Sequence, residues 1–146
     1  MNHKIIWGLG LFGVLGIIFI LTSGKNPPNG ETYTVLNIED NLSLNISNAK
    51  EQHQIKLCGV DIPKSQQSTA KTLISKELQT VDNIVLVTFI GDKAEVFLTD
   101  SSPEKMLSEE LLVQGLAKLQ QDNCPNQSSL ETAENIAKQN KIGVWK

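Results

Sequence analysis

The sequence predicts an α+β domain, mainly β, in which five short strands close a barrel beside three helices, preceded by one transmembrane helix. Three observations carry this expectation. Apolar residues alternate along, or fill, five short runs separated by turn residues. Helix-type spacing and helix stop signals mark three further segments. A run near the amino terminus carries no charge at all.

That run is Ile5–Leu21 (IIWGLGLFGVLGIIFIL), with Lys4 before it and Lys25 after it. Its seventeen residues would span roughly 26 Å as a helix, the low end for crossing a bilayer core. It shows no polar face, which a core helix normally has. A membrane anchor with an extracytoplasmic domain is the favoured reading. The alternative is a cleaved signal and a secreted domain, with Thr22, Ser23 and Gly24 small enough to be cut after. Against the alternative, the run is long for a signal core and no A-x-A pattern follows it.

Residues 22–32 (TSGKNPPNGET) form a linker, because Pro27-Pro28 and Asn29-Gly30 cannot extend a helix. Residues 1–21 are thus the membrane segment and residues 33–146 the folded domain. The chain has 146 residues, 40% hydrophobic and 20% charged, which fits one compact domain plus a tail. Its net charge is −3, and all thirteen basic residues are lysines. From Glu31 onward eleven lysines face sixteen acids, a net charge of −5 that argues against tight nucleic-acid binding.

Tyr33–Ile38 and Asn41–Ile46 alternate as strands, joined by a turn at Glu39-Asp40-Asn41. Leu42, Leu44 and Ile46 share one face of the second. His53–Val60 is the third strand, with Ile55 and Leu57 on one face and Lys56 and Cys58 on the other. Pro63 stops it. Ser65 is a candidate cap for a helix over Ser65–Leu78, whose apolar stripe is Ala70, Leu73, Ile74 and Leu78. Ile84–Phe89 and Lys93–Leu98 are strands joined at Gly91-Asp92. Ser102-Pro103 opens a helix that runs to Gln114 and stops at Gly115. Ser128-Ser129-Leu130-Glu131 matches a capping box for a last helix to about Lys141. This order suggests an OB-fold.

No phosphate loop, nucleophile elbow or zinc-type spacing occurs. His53 and Cys58 fall on opposite strand faces, so they make no nucleophile pair. The domain has four aromatics, Tyr33, Phe89, Phe97 and Trp145, three of them in apolar or chain-end patterns that suit a core better than a base-stacking groove.

Three stretches resemble the staphylococcal-nuclease (thermonuclease-like) family across Tyr33 to Trp145. They are Ile55-Lys56-Leu57-Cys58-Gly59-Val60-Asp61-Ile62-Pro63, Leu112-Val113-Gln114-Gly115-Leu116-Ala117, and Ala133-Glu134 with Ala137-Lys138 and Gly143-Val144-Trp145. The resemblance implies an OB-fold barrel with three helices. It also implies phosphodiester hydrolysis by one Ca²⁺, held by two aspartates and a carbonyl, with a glutamate base and two arginines. The metal half maps onto Asp40, Asp61 and the Ile62 carbonyl. The catalytic half does not map. Lys56 stands at one arginine position, Lys64 at the glutamate position and Gly91 near the second arginine position, while Ile38, Glu39 and Asn41 replace the rest of the Asp-Gly-Asp-Thr turn.

Asp40 and Asp61 also read as ordinary turn residues. Two carboxylates and one carbonyl fill under half of a six-to-eight-oxygen shell, so any calcium would be held weakly. The resemblance and its departures together predict a membrane-anchored binding or scaffolding module without nuclease chemistry, its partner unidentified. The alternative is a weak Ca²⁺-dependent endonuclease. In the resembled fold the loop carrying Cys124 passes close to the third strand. A Cys58–Cys124 disulfide is therefore expected of an exported domain, and two unpaired thiols are the alternative.

Overall fold

The computed structural model describes residues 30–101 and 104–146. The expected membrane segment, Ile5 to Leu21, lies outside them. No helix among the described residues is long and apolar enough to cross a membrane.

Strand β1 (Glu31–Ile38) pairs antiparallel with β2 (Leu44–Ser47), and β2 pairs with β3 (Gln52–Leu57). A two-residue strand β4 (Val60–Asp61) and a 3₁₀ turn (Lys64–Gln66) lead into helix α1 (Gln67–Gln79). Strands β5 (Ile84–Ile90) and β6 (Lys93–Leu98) form a hairpin, and short β7 (Lys105–Met106) extends β6 on its outer edge. Helix α2 (Leu107–Val113), short β8 (Lys118–Leu119) and helix α3 (Gln127–Gln139) complete the chain. β1 pairs with β5, and β3 pairs in parallel with β6 through Lys56↔Lys93 and Leu57↔Ala94. The five long strands therefore close on themselves as a barrel, which removes the sheet edges that would otherwise pair with other chains.

Alternation decides what fills the barrel. Tyr33 and Val35 of β1, Leu44 and Ile46 of β2, Ile55 and Leu57 of β3, and Val85 and Val87 of β5 are all buried. Helix α1 adds Ala70, Ile74 and Leu78, a helical stripe on one face, and α3 adds Leu130 and Ala133. Burying each large side chain contributes about 1.5–3 kcal/mol relative to leaving it in water.

Several local expectations are corrected. The second strand starts at Leu44 and not Asn41, because Leu42 adopts φ 65° in a turn closed by Leu42 N–H to Glu39 O at 3.0 Å. Leu42 is buried even so, reaching the core from the turn. The third strand ends at Leu57, where the chain reverses through Gly59 at φ +78°. Helix α1 opens from the 3₁₀ turn after Pro63 without a side-chain cap from Ser65. Helix α2 begins at Leu107. Lys105 and Met106 are extended instead and pair with Leu98 and Phe97 of β6; Ser102 and Pro103 lie outside the described residues. Helix α3 opens after Asn126 with no capping-box bond. The Glu95 carboxylate on β6 does that work, accepting Asn126 N–H at 2.7 Å and Asn126 Nδ2 at 2.8 Å. Glu95 is buried, and its charge sits at the positive end of α3.

The expected disulfide is present. Cys58 and Cys124 are bonded with their Cα atoms 6.1 Å apart, and both are buried. The bridge closes a chain separation of 66 residues, for which the chain-entropy model gives about 4 kcal/mol of stabilisation. The paired Cys58→Ser, Cys124→Ser variant is expected to lose stability of that order in urea unfolding. An unchanged midpoint would show that the bridge constrains nothing.

Candidate functional site

The site expected from sequence is built on the six residues after β3's last inward residue pair. Leu57 ends β3, Cys58 and Gly59 reverse the chain, and Val60–Asp61 form β4 ahead of Ile62 and Pro63. Lys56, Leu57, Val60, Asp61 and Ile62 line one shallow pocket of about 220 Å³. Asn41 and Leu42 from the β1–β2 turn and Gln67 at the start of α1 complete its wall. The β1–β2 turn, the segment from β3 to β4 and the start of α1 therefore meet at the pocket.

Lys56 and Asp61 are brought together, and Ile62 is beside them. Both charged groups are exposed, and neither has a hydrogen-bond or ion-pair partner among the described residues. Asp40 is placed differently. Its carboxylate is fully exposed and accepts from Lys71 Nζ on α1 at 3.1 Å. It is outside the pocket lining, although its neighbour Asn41 is in it. Lys64 sits exposed in the 3₁₀ turn, and Gly91 sits in the β5–β6 hairpin at φ +62°. That hairpin is near Lys56, whose backbone N–H points at Asp92 O across 3.4 Å. No side chain at position 91 exists to reach the pocket.

The residues present can be tested against a calcium ion. Calcium takes six to eight oxygens, usually including several carboxylates. The pocket offers the one carboxylate of Asp61. Asn41 Oδ1 already accepts Ser43 N–H at 3.0 Å, and the Lys56 ammonium lines the same wall. This donor set does not fit calcium. A second cluster, Cys58, Asp122 and Cys124, brings its ligand atoms within 4.8 Å of one another. Its two sulfurs are joined in the disulfide, so it offers no thiolate.

What holds the pocket wall was partly missed by sequence reasoning. Ser108 Oγ on α2 donates to Cys58 O at 2.8 Å, and Cys58 N–H donates to Ala94 O at 2.9 Å. Gly59 N–H donates to Asp122 Oδ2 at 3.0 Å, and Gly59 O accepts from Gln120 N–H at 2.9 Å. Asp122 Oδ1 pairs with Lys93 Nζ at 2.6 Å. A Cβ on Gly59 would stand 2.3 Å from Leu130 Cδ1, so only glycine fits both the space and the positive φ. No local sequence pattern marks Ser108 or Asp122, because their partners lie 50 and 63 residues away.

Strand β4 is held in turn by β8, through Val60↔Leu119 and Asp61↔Lys118. Glu134 on α3 anchors β8 by accepting Leu119 N–H at 2.8 Å, and it pairs with Lys138 at 2.8 Å. Burial pushes the Glu134 carboxyl up. The Lys138 and Leu119 hydrogen bonds, with the charges of Lys138 and Lys118, outweigh that and hold it below the usual value of 4.5. Trp145 closes this corner, with Lys138 Nζ 4.6 Å and Lys118 Nζ 5.5 Å from its ring centroid.

The remaining aromatics are mostly core. Tyr33 and Phe97 are buried, whereas Phe89 is 40% exposed and packs edge-on against Tyr33 and His53. Tyr33 Oη donates to Glu51 Oε1 at 2.6 Å; that bond, then burial and the Glu51 and Glu31 charges, push its phenol up to about 12.

A family model described as staphylococcal nuclease homologue matches residues 54–146. Among curated proteins no match is found.

Because the Glu134 carboxyl titrates below its ordinary value when folded, its ionised form adds stability above about pH 4.5, and that gain is lost as pH falls through the lower folded value. Glu134→Gln keeps an acceptor for Leu119 and removes the charge. It is expected to be less stable than the natural protein at neutral pH, with the gap narrowing below pH 4.5 in thermal melts. A gap independent of pH would contradict this role.

Proposed function

The chain belongs to the staphylococcal nuclease homologue family, and we propose that its domain is a non-hydrolytic member serving as a binding or scaffolding module, anchored in a membrane by Ile5–Leu21. The observation that carries this reading is the pocket itself. It retains Asp61 and Ile62, holds Lys56 on the same wall, and contains neither arginine nor glutamate.

Phosphodiester hydrolysis needs donors aimed at the equatorial oxygens where charge develops. Arginine supplies a rigid bidentate fork, whereas lysine supplies a flexible point charge. Losing one such donor costs about 2.7–4 kcal/mol, or 10²–10³ in rate. Two positions are affected here, Lys56 and Gly91. An ammonium at Lys64 cannot take a proton near neutral pH, so the base is missing as well. The net charge of −5 from Glu31 onward would also repel a phosphate backbone.

An unpaired ammonium and an unpaired carboxylate on one small wall, flanked by the Asn41 and Gln67 amides, suit recognition of a polar protein surface better than catalysis. The partner is unidentified. The apolar segment would hold this surface at the extracytoplasmic face of its membrane.

Plasmid nicking by the purified protein, with Ca²⁺ and with chelator, tests the reading. No chelator-sensitive cleavage is expected. Robust Ca²⁺-dependent nicking that Asp61→Ala abolishes would establish the endonuclease instead. Calorimetric calcium affinity is expected to be weaker than about micromolar, the sensor range that more complete oxygen shells reach.

A further inference from the structure

Helix α1 has two unlike faces. Ala70, Ile74 and Leu78 are buried against the barrel. On a different face Ser68, Lys71, Thr72, Ser75, Lys76 and Gln79 recur at helical spacing, and together they line a cavity of about 390 Å³. Lys71, Ser75 and Gln79 also line a second cavity of about 270 Å³, whose far wall is Leu36, Asn37 and Ile38 of β1 with Asn83 ahead of β5. The shared residues make the two cavities one groove. Leu36 borders it at a bulge of β1. Val35 and Asn37 pair with the consecutive residues Ile46 and Asn45 of β2, which leaves Leu36 as the extra residue, 56% exposed.

The groove is opposite in charge to the domain around it. The domain carries −5 from Glu31 onward, yet two ammoniums and no carboxylate line the two cavities. Glu77, the one acid of α1, pairs instead with Lys105 of β7 at 3.6 Å. Lys76 has no ion-pair partner among the described residues. Lys71 has one, the Asp40 carboxylate, which is fully exposed and lies 3.1 Å from Nζ. That contact shows how a carboxylate arriving from solvent is received at Lys71. An exposed pair of this kind contributes little, so an incoming carboxylate displaces it at small cost. Five residues place Lys71 and Lys76 about 140° apart around the helix, on opposite flanks of the stripe. A chain lying along Ser68, Thr72, Ser75 and Gln79 therefore passes between two ammoniums.

We propose that this groove docks an extended acidic peptide segment of a partner protein, its carboxylates meeting Lys71 and Lys76 and an apolar side chain meeting Leu36. The proposal names a partner class for the binding-module reading above and rests on that reading. Hydroxyls on the stripe and the Gln79 and Asn83 amides suit the donors and acceptors of a peptide backbone. A nucleic-acid strand, with a phosphate at every unit, meets the −5 of the domain instead. Gln67, next to Ser68, lines the Lys56–Asp61 pocket, so α1 links the groove to that wall.

The test titrates the full chain, with phosphatidylcholine nanodiscs present, with a synthetic peptide in which glutamate alternates with leucine or serine, and follows backbone amides by NMR. Saturable shifts at Leu36, Lys71, Ser75 and Lys76 are expected, weakening as salt rises. The paired Lys71→Glu, Lys76→Glu variant is expected to bind at least about tenfold more weakly, with core amide positions unchanged. The proposal is overturned if the four residues do not move, if the same peptide with glutamine in place of glutamate binds equally well, or if the variant binds as the natural chain does. Stronger shifts of the same residues by a single-stranded oligonucleotide would assign the groove to nucleic acid and overturn it too. Unmoved α1 residues together with no plasmid nicking remove the groove and leave the non-hydrolytic reading standing. Ca²⁺-dependent nicking removes that reading and the groove that rests on it.

Discussion

The chain reversal at Cys58–Gly59 is the constraint on which the rest of the structure depends. Strand β3 must leave the barrel there, and the next residues must arrive at β4 in register with β8. Gly59 supplies the left-handed backbone. Every backbone polar group of the reversal has a partner from elsewhere: Ala94 on β6, Ser108 on α2, and Gln120 and Asp122 on the loop before α3. Those buried groups would each cost about 1–3 kcal/mol if left unsatisfied. The Cys58–Cys124 bridge fixes the same point covalently, so barrel and helices are joined where the pocket wall begins.

This arrangement separates architecture from chemistry. Asp61 is held by β4–β8 pairing, by Glu134 behind β8, and by the reversal ahead of it. None of these supports involves Lys56, Lys64 or Gly91. Side chains at Lys56 and Lys64 can change without disturbing the frame because both face solvent, whereas Gly91 is tied to its hairpin by a φ of +62°. The family fold is thus present around a wall that holds neither arginine nor glutamate, and fold membership alone does not specify activity.

Long-range order was legible where it left a periodic trace. Strands β1, β2 and β3 follow from alternation, β5 from its β-branched run, α1 from the Ala70, Leu73, Ile74 and Leu78 stripe, and the β5–β6 hairpin from Gly91-Asp92. What escaped was decided by contacts distant in sequence. Met106 pairs with Phe97 and so cannot begin a helix, and Glu95 closes α3 in place of the Ser128–Glu131 box. Leu42 reads as a strand residue because it alternates with Leu44 and Ile46, yet it lies in a turn. At the site, family spacing located the segment from Lys56 to Ile62. It did not foresee that Asp40 would turn to Lys71, since Lys71 belongs to a helix thirty-one residues on. The membrane segment is a reading of composition alone, carried by a run without charge.

On the proposed non-hydrolytic reading, the Lys56–Asp61 wall does not engage a phosphodiester with calcium. Backbone amide shifts of Lys56, Asp61, Ile62 and Gly91, followed by NMR while a short single-stranded oligonucleotide is titrated with Ca²⁺ present, test it most directly. No saturable movement centred on these four residues is expected. Saturable shifts that converge on them and vanish when the calcium is chelated would contradict it.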